Sequence, residues 1–372
     1  MTACAFVSQL KAMETIPVWL YLIILFSIGG AYYYIVYVYG ARPDPATAVP
    51  PVPKAPRYAG PDVEALFQSV LRMDLNPLGA RLAATRQAQA WDDRGLDLEN
   101  IGGAFDVLDR GVVDVWARNY PNDAGVRLVS GVHAIHWAWK ARGTGAGSTV
   151  TKDGARLMRE RLRVAQSELL QAIAMDPADP TPHAHLITCA KGLQLSKEEA
   201  FSQFSYAMAK DPENIHACKR LLDFLHPKWF GSIAEVRSVA LDIARRSRPG
   251  SDLRALPFLA HAFAWEYTAL FDDHRKKADA AIRAADARAE LDEAWANWAA
   301  SQSPSPRRST IILHNYAAFC LYLMKDQSRL ALQLRAIGTG YINYPWCFLG
   351  KMRDPVSSSN EGFAAARKLA NV

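Results

Sequence analysis

Two stretches decide how this chain reads: residues 165–177, AQSELLQAIAMDP, and residues 200–212, AFSQFSYAMAKDP. Overlaid with a displacement of 35, they match at Ala165/Ala200, Leu169/Phe204, Ala172/Ala207, Asp176/Asp211 and Pro177/Pro212. Alanines at i and i+7 share one helix face and let a neighbouring helix approach closely. The large residue at i+4 fills the gap between them. Asp-Pro then stops the helix, because proline disfavours helical backbone before it and has no N–H to extend the ladder. Each stretch therefore predicts the second helix of an antiparallel hairpin, and the displacement predicts that such hairpins stack.

Alanine, bulky residue, alanine and proline at a period near 34 is the tetratricopeptide pattern. The first-helix half departs from it: Ala184 and Thr188 stand where a larger and a very small residue are usual. Helical apolar spacing continues on both sides, with candidate helices at 77–90, 103–117, 123–141, 154–175, 181–194, 197–210, 213–225, 232–247, 252–270, 274–299, 309–324 and 327–337. Short connections predict antiparallel neighbours. Breaks fall at 120–123, at 248–250 and in the serine- and proline-rich stretch 301–309. The expected class is all-α: a right-handed stack of antiparallel helical hairpins, a tetratricopeptide-like α-solenoid over 62–372, with its clearest repeats at 153–225.

Ahead of this body the chain is uncharged from Thr15 to Ala41. Its apolar part, 16–40, matches the roughly 20 residues a bilayer-spanning helix needs. Trp19 and Tyr21 near one end and Tyr32, Tyr33, Tyr34, Tyr37 and Tyr39 near the other suit two membrane–water interfaces. Ala46-Thr47-Ala48 fits a cleavage pattern, but the run exceeds the ~7–15 residues of a signal-peptide core. An uncleaved single-pass anchor is expected, with residues 1–15 as a short tail. Lys11 before the run and Arg42, Lys54 and Arg57 after it lean toward a cytoplasmic body, by too few charges to decide the side. Residues 41–61 hold Pro43, Pro45, Pro50, Pro51, Pro53, Pro56 and Pro61, the composition of an extended linker.

The chain has 372 residues, with 43 Lys plus Arg against 37 Asp plus Glu, so the net charge of +6 is mild. No basic cluster calls for nucleic acid. The five cysteines, Cys4, Cys189, Cys218, Cys320 and Cys347, are odd in number and lack CxxC spacing, which signals neither a disulfide framework nor zinc. His133/His136 and His183/His185 lack accompanying ligands at metal spacing and read as ordinary helix histidines. Trp137, Trp139, Trp295, Trp298, Trp229 and Trp346 read chiefly as packing between helices. Arg245, Arg246 and Arg248 read as a solvated helix end. No hydrolase, zinc-protease or dinucleotide motif is present, so no catalytic, metal or cofactor residues are expected and the chain reads as a non-enzyme.

Several short runs taken together resemble a family. They are Ala141-Arg142-Gly143-Thr144-Gly145, Thr149-Val150-Thr151, Asp176-Pro177-Ala178-Asp179-Pro180-Thr181-Pro182, Leu225-His226-Pro227-Lys228-Trp229 with Gly231-Ser232, and His314-Asn315-Tyr316-Ala317. In this order they resemble the bacterial domain-of-unknown-function family numbered 4034, over roughly 70–350. The resemblance implies degenerate tetratricopeptide-like hairpins and a bacterial source, hence an inner-membrane location, and it implies no catalytic residues. Where that family's turn usually runs Trp-Gly-Gly-Ser, Phe230 replaces the first glycine. That questions any turn needing a positive φ at 230.

The functional expectation is a membrane-anchored helical-repeat scaffold for a protein or peptide partner, since stacked hairpins offer a concave face. In the tetratricopeptide register His185, Arg220 and Phe224 face that groove, a mixed surface suited to an acidic or C-terminal peptide. An accessory subunit of a membrane complex is the alternative. A less favoured one is an enzyme acting on a phosphorylated ligand at the Gly143–Thr149 loop, which lacks the P-loop lysine and follows no strand.

Overall fold

The computed structural model describes residues 60–143, 147–299, 307–350 and 355–372. The tail 1–15, the apolar run 16–40 and the linker as far as residue 59 lie outside the described residues. Among the described residues no helix is long and apolar enough to cross a membrane, and there is no strand.

The described chain is a succession of helices: α1 (Gly60–Leu71), α2 (Asn76–Gln87), α3 (Trp91–Asn100), α4 (Gly102–Phe105), α5 (Arg110–Asn119), α6 (Ala124–Arg142), α7 (Lys152–Met175), α8 (Thr181–Leu193) and α9 (Lys197–Lys210). Then follow α10 (Ile215–Phe224), α11 (Ile233–Arg246), α12 (Leu256–Glu266), α13 (Arg275–Ala281), α14 (Ala285–Ala299), α15 (Thr310–Met324), α16 (Gln327–Ile337), α17 (Asn343–Trp346) and α18 (Pro355–Ala370). Starts are set by side-chain caps on exposed N–H groups. Asp123 accepts from Gly125 and Val126, Thr151 from Gly154, and Asn214 from Ala217. Ser196 and Ser232 each accept from a glutamate N–H three residues on, the spacing of a capping box.

The repeat landmarks behave as their chemistry requires. Ala165, Leu169, Ala172, Ala200 and Ala207 are all fully buried, and α7 and α9 end at Asp176 and Asp211. The displacement of 35 extends one feature further, to Asp179 and Asn214. Asn214 caps α10 by accepting from the Ala217 N–H at 2.8 Å, and Asp179, just before α8, accepts from the Thr181 N–H at 2.8 Å. Helices pack on their successors, α6 on α7, α7 on α8, α8 on α9 and α11 on α12, and α8 packs on α10 across the hairpin, an order consistent with an α-solenoid. Two large cores result. One spans α1 to α8, with Phe67, Leu78, Leu98 and Phe105; the other takes Leu96 from α3 and then spans α8 to α18, with Phe258, Trp265, Phe319 and Trp346. They meet at α3, which gives Leu98 to the first and Leu96 to the second, and at α8, which gives Leu186 and Cys189 to the first and Ile187 and Ala190 to the second.

Some boundaries differ from expectation. The single helix expected at 103–117 is α4 and α5, because Asp109 turns out of the helix and caps the second by accepting from Gly111. The stretch 274–299 breaks into α13 and α14 around Ile282–Ala284, where Arg283 donates to the Leu323 carbonyl at 2.7 Å. Helices α1, α3, α17 and α18 were not among the candidates.

The turn at 226–232 explains the departure at Phe230. Phe230 does not take a positive φ; its ring stacks on Phe224 with centroids 4.9 Å apart. The glycine the turn needs is Gly231, where an added Cβ would lie 2.1 Å from the Leu225 carbonyl oxygen. That neighbour is backbone and cannot swing aside. Gly231→Ala is therefore expected to destabilise the fold by about 1–3 kcal/mol, the usual range for overpacking. A lowered urea midpoint at unchanged slope is the expected reading, and an unchanged midpoint contradicts it.

Candidate partner-binding groove

Helices α8 and α10 follow the two matched helices α7 and α9 and open successive hairpins, so their inner faces form the candidate groove. On α10 the inner row is His216, Lys219, Arg220 and Asp223. Phe224 lies about a quarter turn away from this row at ~100° per residue. It is fully buried and stacked on Phe230, so the expectation that it faces the groove does not hold. His185 and Arg220 do lie on the inner side, but beneath another helix.

That helix is α3, which packs on α8 and α10. Its Gly95 leaves space that the His216 ring fills: an added Cβ would lie 2.6 Å from His216 Cδ2. His216 Nδ1 donates to Glu99 at 3.1 Å, and Lys219 also pairs with Glu99. Burial alone would raise the Glu99 carboxyl; Lys219 and the His216 bond outweigh it and hold the group well below the carboxylate range. On the far side, Arg308 meets Asp93 at 3.1 Å and Asp97 at 3.3 Å, and the Ser309 N–H donates to Asp92 at 3.1 Å. Arg94 is buried and donates to Asp179 at 2.7 Å and to the Leu82 carbonyl at 2.5 Å. The turns between the hairpins supply further anchors. Asp176 takes Arg86 at 2.5 Å, and its repeat counterpart Asp211 takes both Nη atoms of Arg307 at 2.8 and 2.6 Å.

Between α3, α8 and α10 remains a cleft lined by Trp91, Gly95, Ala184, His185, His216 and Arg220, too tight to admit a water molecule. Burial pushes the His185 imidazole well below its ordinary pKa, and Arg220 and His216 add to the effect. Burial likewise lowers Arg220, which donates to the His216 carbonyl at 3.3 Å. At His185 and Arg220, then, the groove already holds an acidic helix, and it is the chain's own.

The other end of the inner face carries a different cluster. Trp139 from α6 and Trp229 from the turn after α10 meet edge to face, centroids 5.6 Å apart. Arg142 stands 5.7 and 5.8 Å from the two ring centroids, and Lys191 5.1 Å from each. Such distances are within cation–π range. Lys191 also pairs with Asp223, whose carboxyl it holds low against the opposing effect of burial. Lys228 bonds Glu266 at 3.2 Å and lies 5.8 Å from the Phe271 ring. All four members, Trp139, Arg142, Lys191 and Trp229, are half-buried. Behind them His226 is fully buried. Its Nδ1 accepts from the Lys228 N–H at 3.2 Å, so its proton sits on Nε2, 3.8 Å from Glu266. Burial, with Lys228, pushes His226 down to about 3, and burial raises Glu266. Sequence reasoning placed Trp139 and Trp229 as packing residues on separate elements; nothing in the spacing joined them.

The other candidates are structural where they are described. His133 is buried, donates to the Leu108 carbonyl at 3.1 Å, and is pushed by burial to about 4. His136 bonds Asp106 at 2.8 Å and His183 bonds Gln203 at 2.8 Å. Among the described residues no group of three or more His, Cys, Asp or Glu is placed to hold a metal ion. Cys189, Cys218, Cys320 and Cys347 are buried free thiols pushed up by burial. The Gly143–Thr149 loop lies partly outside the described residues; Gly143 and 147–149 are exposed. A cleft of about 190 Å³ between α11, α12 and α14 is floored by Leu241, Pro257 and Ala294. It is smaller than the ~300 Å³ at which small-molecule pockets begin. No protein-family model matches the chain, and no curated protein matches it.

Proposed function

We propose that this protein is a helical-repeat scaffold that docks a protein or peptide partner, held at a bacterial inner membrane by residues 16–40. The finer reading of the fold is a right-handed stack of tetratricopeptide-like hairpins related to the domain-of-unknown-function family numbered 4034. One observation carries the docking role: the half-buried cluster of Trp139, Trp229, Arg142 and Lys191. Tryptophan and arginine are the residue types that dominate interface hot spots. Large rings held rigid by flanking cations lose little entropy when a partner covers them. The partner it suits is acidic, because Arg142, Lys191 and Lys228 outnumber Asp223 and Glu266 on this surface.

The docking surface is this cluster and not the face at His185 and Arg220. A peptide at His185 and Arg220 would have to displace α3 and its buried Arg94, whereas the tryptophan cluster needs no such displacement. The test is affinity purification of the full chain from solubilised membranes. Trp229→Ala, with helical circular dichroism unchanged, is expected to reduce partner recovery at least about ten-fold, as loss of a hot spot of ~2 kcal/mol does. Equal recovery by Trp229→Ala and the unaltered chain overturns the docking surface. Co-elution of the partner through gel filtration would mark a stable subunit rather than a transient client.

A further inference from the structure

Helix α7 carries a row of charges that the tryptophan cluster does not use. Lys152, Arg156, Arg159 and Arg163 are all exposed. At ~100° per residue they fall within about 60° of arc, over ~16 Å of helix. Arg156 is taken up by Asp153 at 3.5 Å and Glu160 at 3.0 Å. Lys152, Arg159 and Arg163 have no carboxylate within ion-pair distance among the described residues. Arg161, on the opposite side, folds inward over the Trp137 ring at 4.0 Å and donates to the Trp137 carbonyl at 2.8 Å. The helix thus sorts its arginines: one packs, and the others stand in a line facing solvent.

We propose that this row lies against an anionic bilayer surface, binding phosphate headgroups. The proposal rests on the reading of residues 16–40 as a membrane anchor, which puts the body beside a bilayer. Residues 41–59 reach at most roughly 65 Å at ~3.3–3.6 Å each. A compact body of this size has a radius of gyration near 20 Å, so the tether lets any face turn to the membrane. A row of three unpaired cations then chooses the face, each worth roughly a factor of five in partition onto an anionic surface. Held this way, α7 would keep the tryptophan cluster at a fixed height and orientation rather than free on its linker.

The test uses the full chain carrying Cys4→Ser and Ser148→Cys, labelled with a fluorophore at 148, the four buried thiols being inaccessible. The protein is reconstituted with vesicles of phosphatidylcholine, alone or mixed with phosphatidylglycerol, containing a headgroup nitroxide quencher. Quenching is expected to be several-fold stronger with phosphatidylglycerol and to fall at high salt. It should fall to the neutral-vesicle level when Lys152→Glu, Arg159→Glu and Arg163→Glu are combined. Equal quenching on both vesicles, or no effect of the triple variant, overturns the proposal. Tighter, variant-sensitive binding to single-stranded RNA than to the anionic vesicles overturns it as well. Alkaline extraction reads the anchor separately. A chain that is stripped by alkali yet shows lipid-dependent quenching refutes the anchor and supports the row. A chain that associates with neither vesicle refutes both.

Discussion

Replacing Asp179 with alanine is expected to destabilise the fold by about 3–5 kcal/mol, the loss that follows when one partner of a buried ion pair is left alone. The side chains of Arg94 and Asp179 are 1% and 3% exposed. Arg94 Nε donates to Asp179 at 2.7 Å, and the other acceptors of the guanidinium are neutral, the Leu82 carbonyl and the Thr85 hydroxyl. Arginine does not shed its proton to escape burial. Without the carboxylate a full charge therefore stays in the wall between α2, α3 and the turn before α8. Asp179 also accepts from the Thr181 N–H at the start of α8, so the same change leaves that buried donor without its partner. Because Arg94 is the buried anchor of α3, hydrogen exchange should accelerate first in α3. Urea unfolding of the full chain in detergent measures the total. Combining Asp179→Leu with Arg94→Met should restore most of the loss, since an apolar pair can replace a buried ion pair at little cost. A loss below about 1 kcal/mol for Asp179→Ala, the size of an ordinary surface change, would mean that Arg94 is hydrated.

The same helix shows where the sequence stops being legible. Helices α7 and α9 are plain in residues 165–212 because alanine, leucine or phenylalanine, and alanine recur on one face and Asp-Pro ends each. Helix α3, residues 91–100, reads WDDRGLDLEN. Its buried set includes Arg94, Gly95, Asp97 and Asn100 alongside Leu96 and Leu98. A helix that turns charges and a glycine inward has no apolar period to detect. Its partners Asp179, His216 and Ser309 lie 85 or more residues away, so their pairing is a property of the topology. For the same reason the helical register puts His185 and Arg220 on the inner side of α8 and α10 but gives no sign that α3 covers them. The tetratricopeptide register assumes an empty concave face, and α3 fills it over His185 and Arg220. Phe224 went astray by a quarter turn, since an aromatic at the end of a short helix serves the core as readily as a groove. Trp139 and Trp229 are 90 positions apart, and only the packing of α6 beside the turn after α10 joins them. The anchor and linker are compositional readings of residues outside the described structure and rest on the sequence alone.

Acid is expected to unfold this protein well before its carboxylates are protonated. Six of the nine histidines, His133, His183, His185, His226, His261 and His314, have pKa values lowered chiefly by burial. Two are low enough to define a window: His133 at about 4 and His226 at about 3. Above an unfolded value near 6.5 these rings are neutral in both states, and the fold keeps its full stability. Below that value the unfolded chain takes up protons that the folded chain refuses, so stability falls as pH falls until the folded pKa is reached. Each such histidine costs about 1.4 kcal/mol per pH unit, so these two alone give a slope of roughly 3 kcal/mol per unit between about pH 6 and 4. Glu266 acts in the opposite sense. Its carboxyl is raised by burial, so its protonation favours the fold once pH approaches the carboxylate range. Glu99, Asp223 and Glu290, held low by their cations against burial, add a further loss only below the usual carboxylate pKa. Urea midpoints from about pH 7.5 to pH 5 measure the slope. His226→Phe, placed among Phe263, Tyr267 and Phe271, removes one titrating group and should flatten the profile by about one proton's worth, 1.4 kcal/mol per unit. A stability flat across that range would show that water reaches these rings and that the histidines charge freely inside the fold.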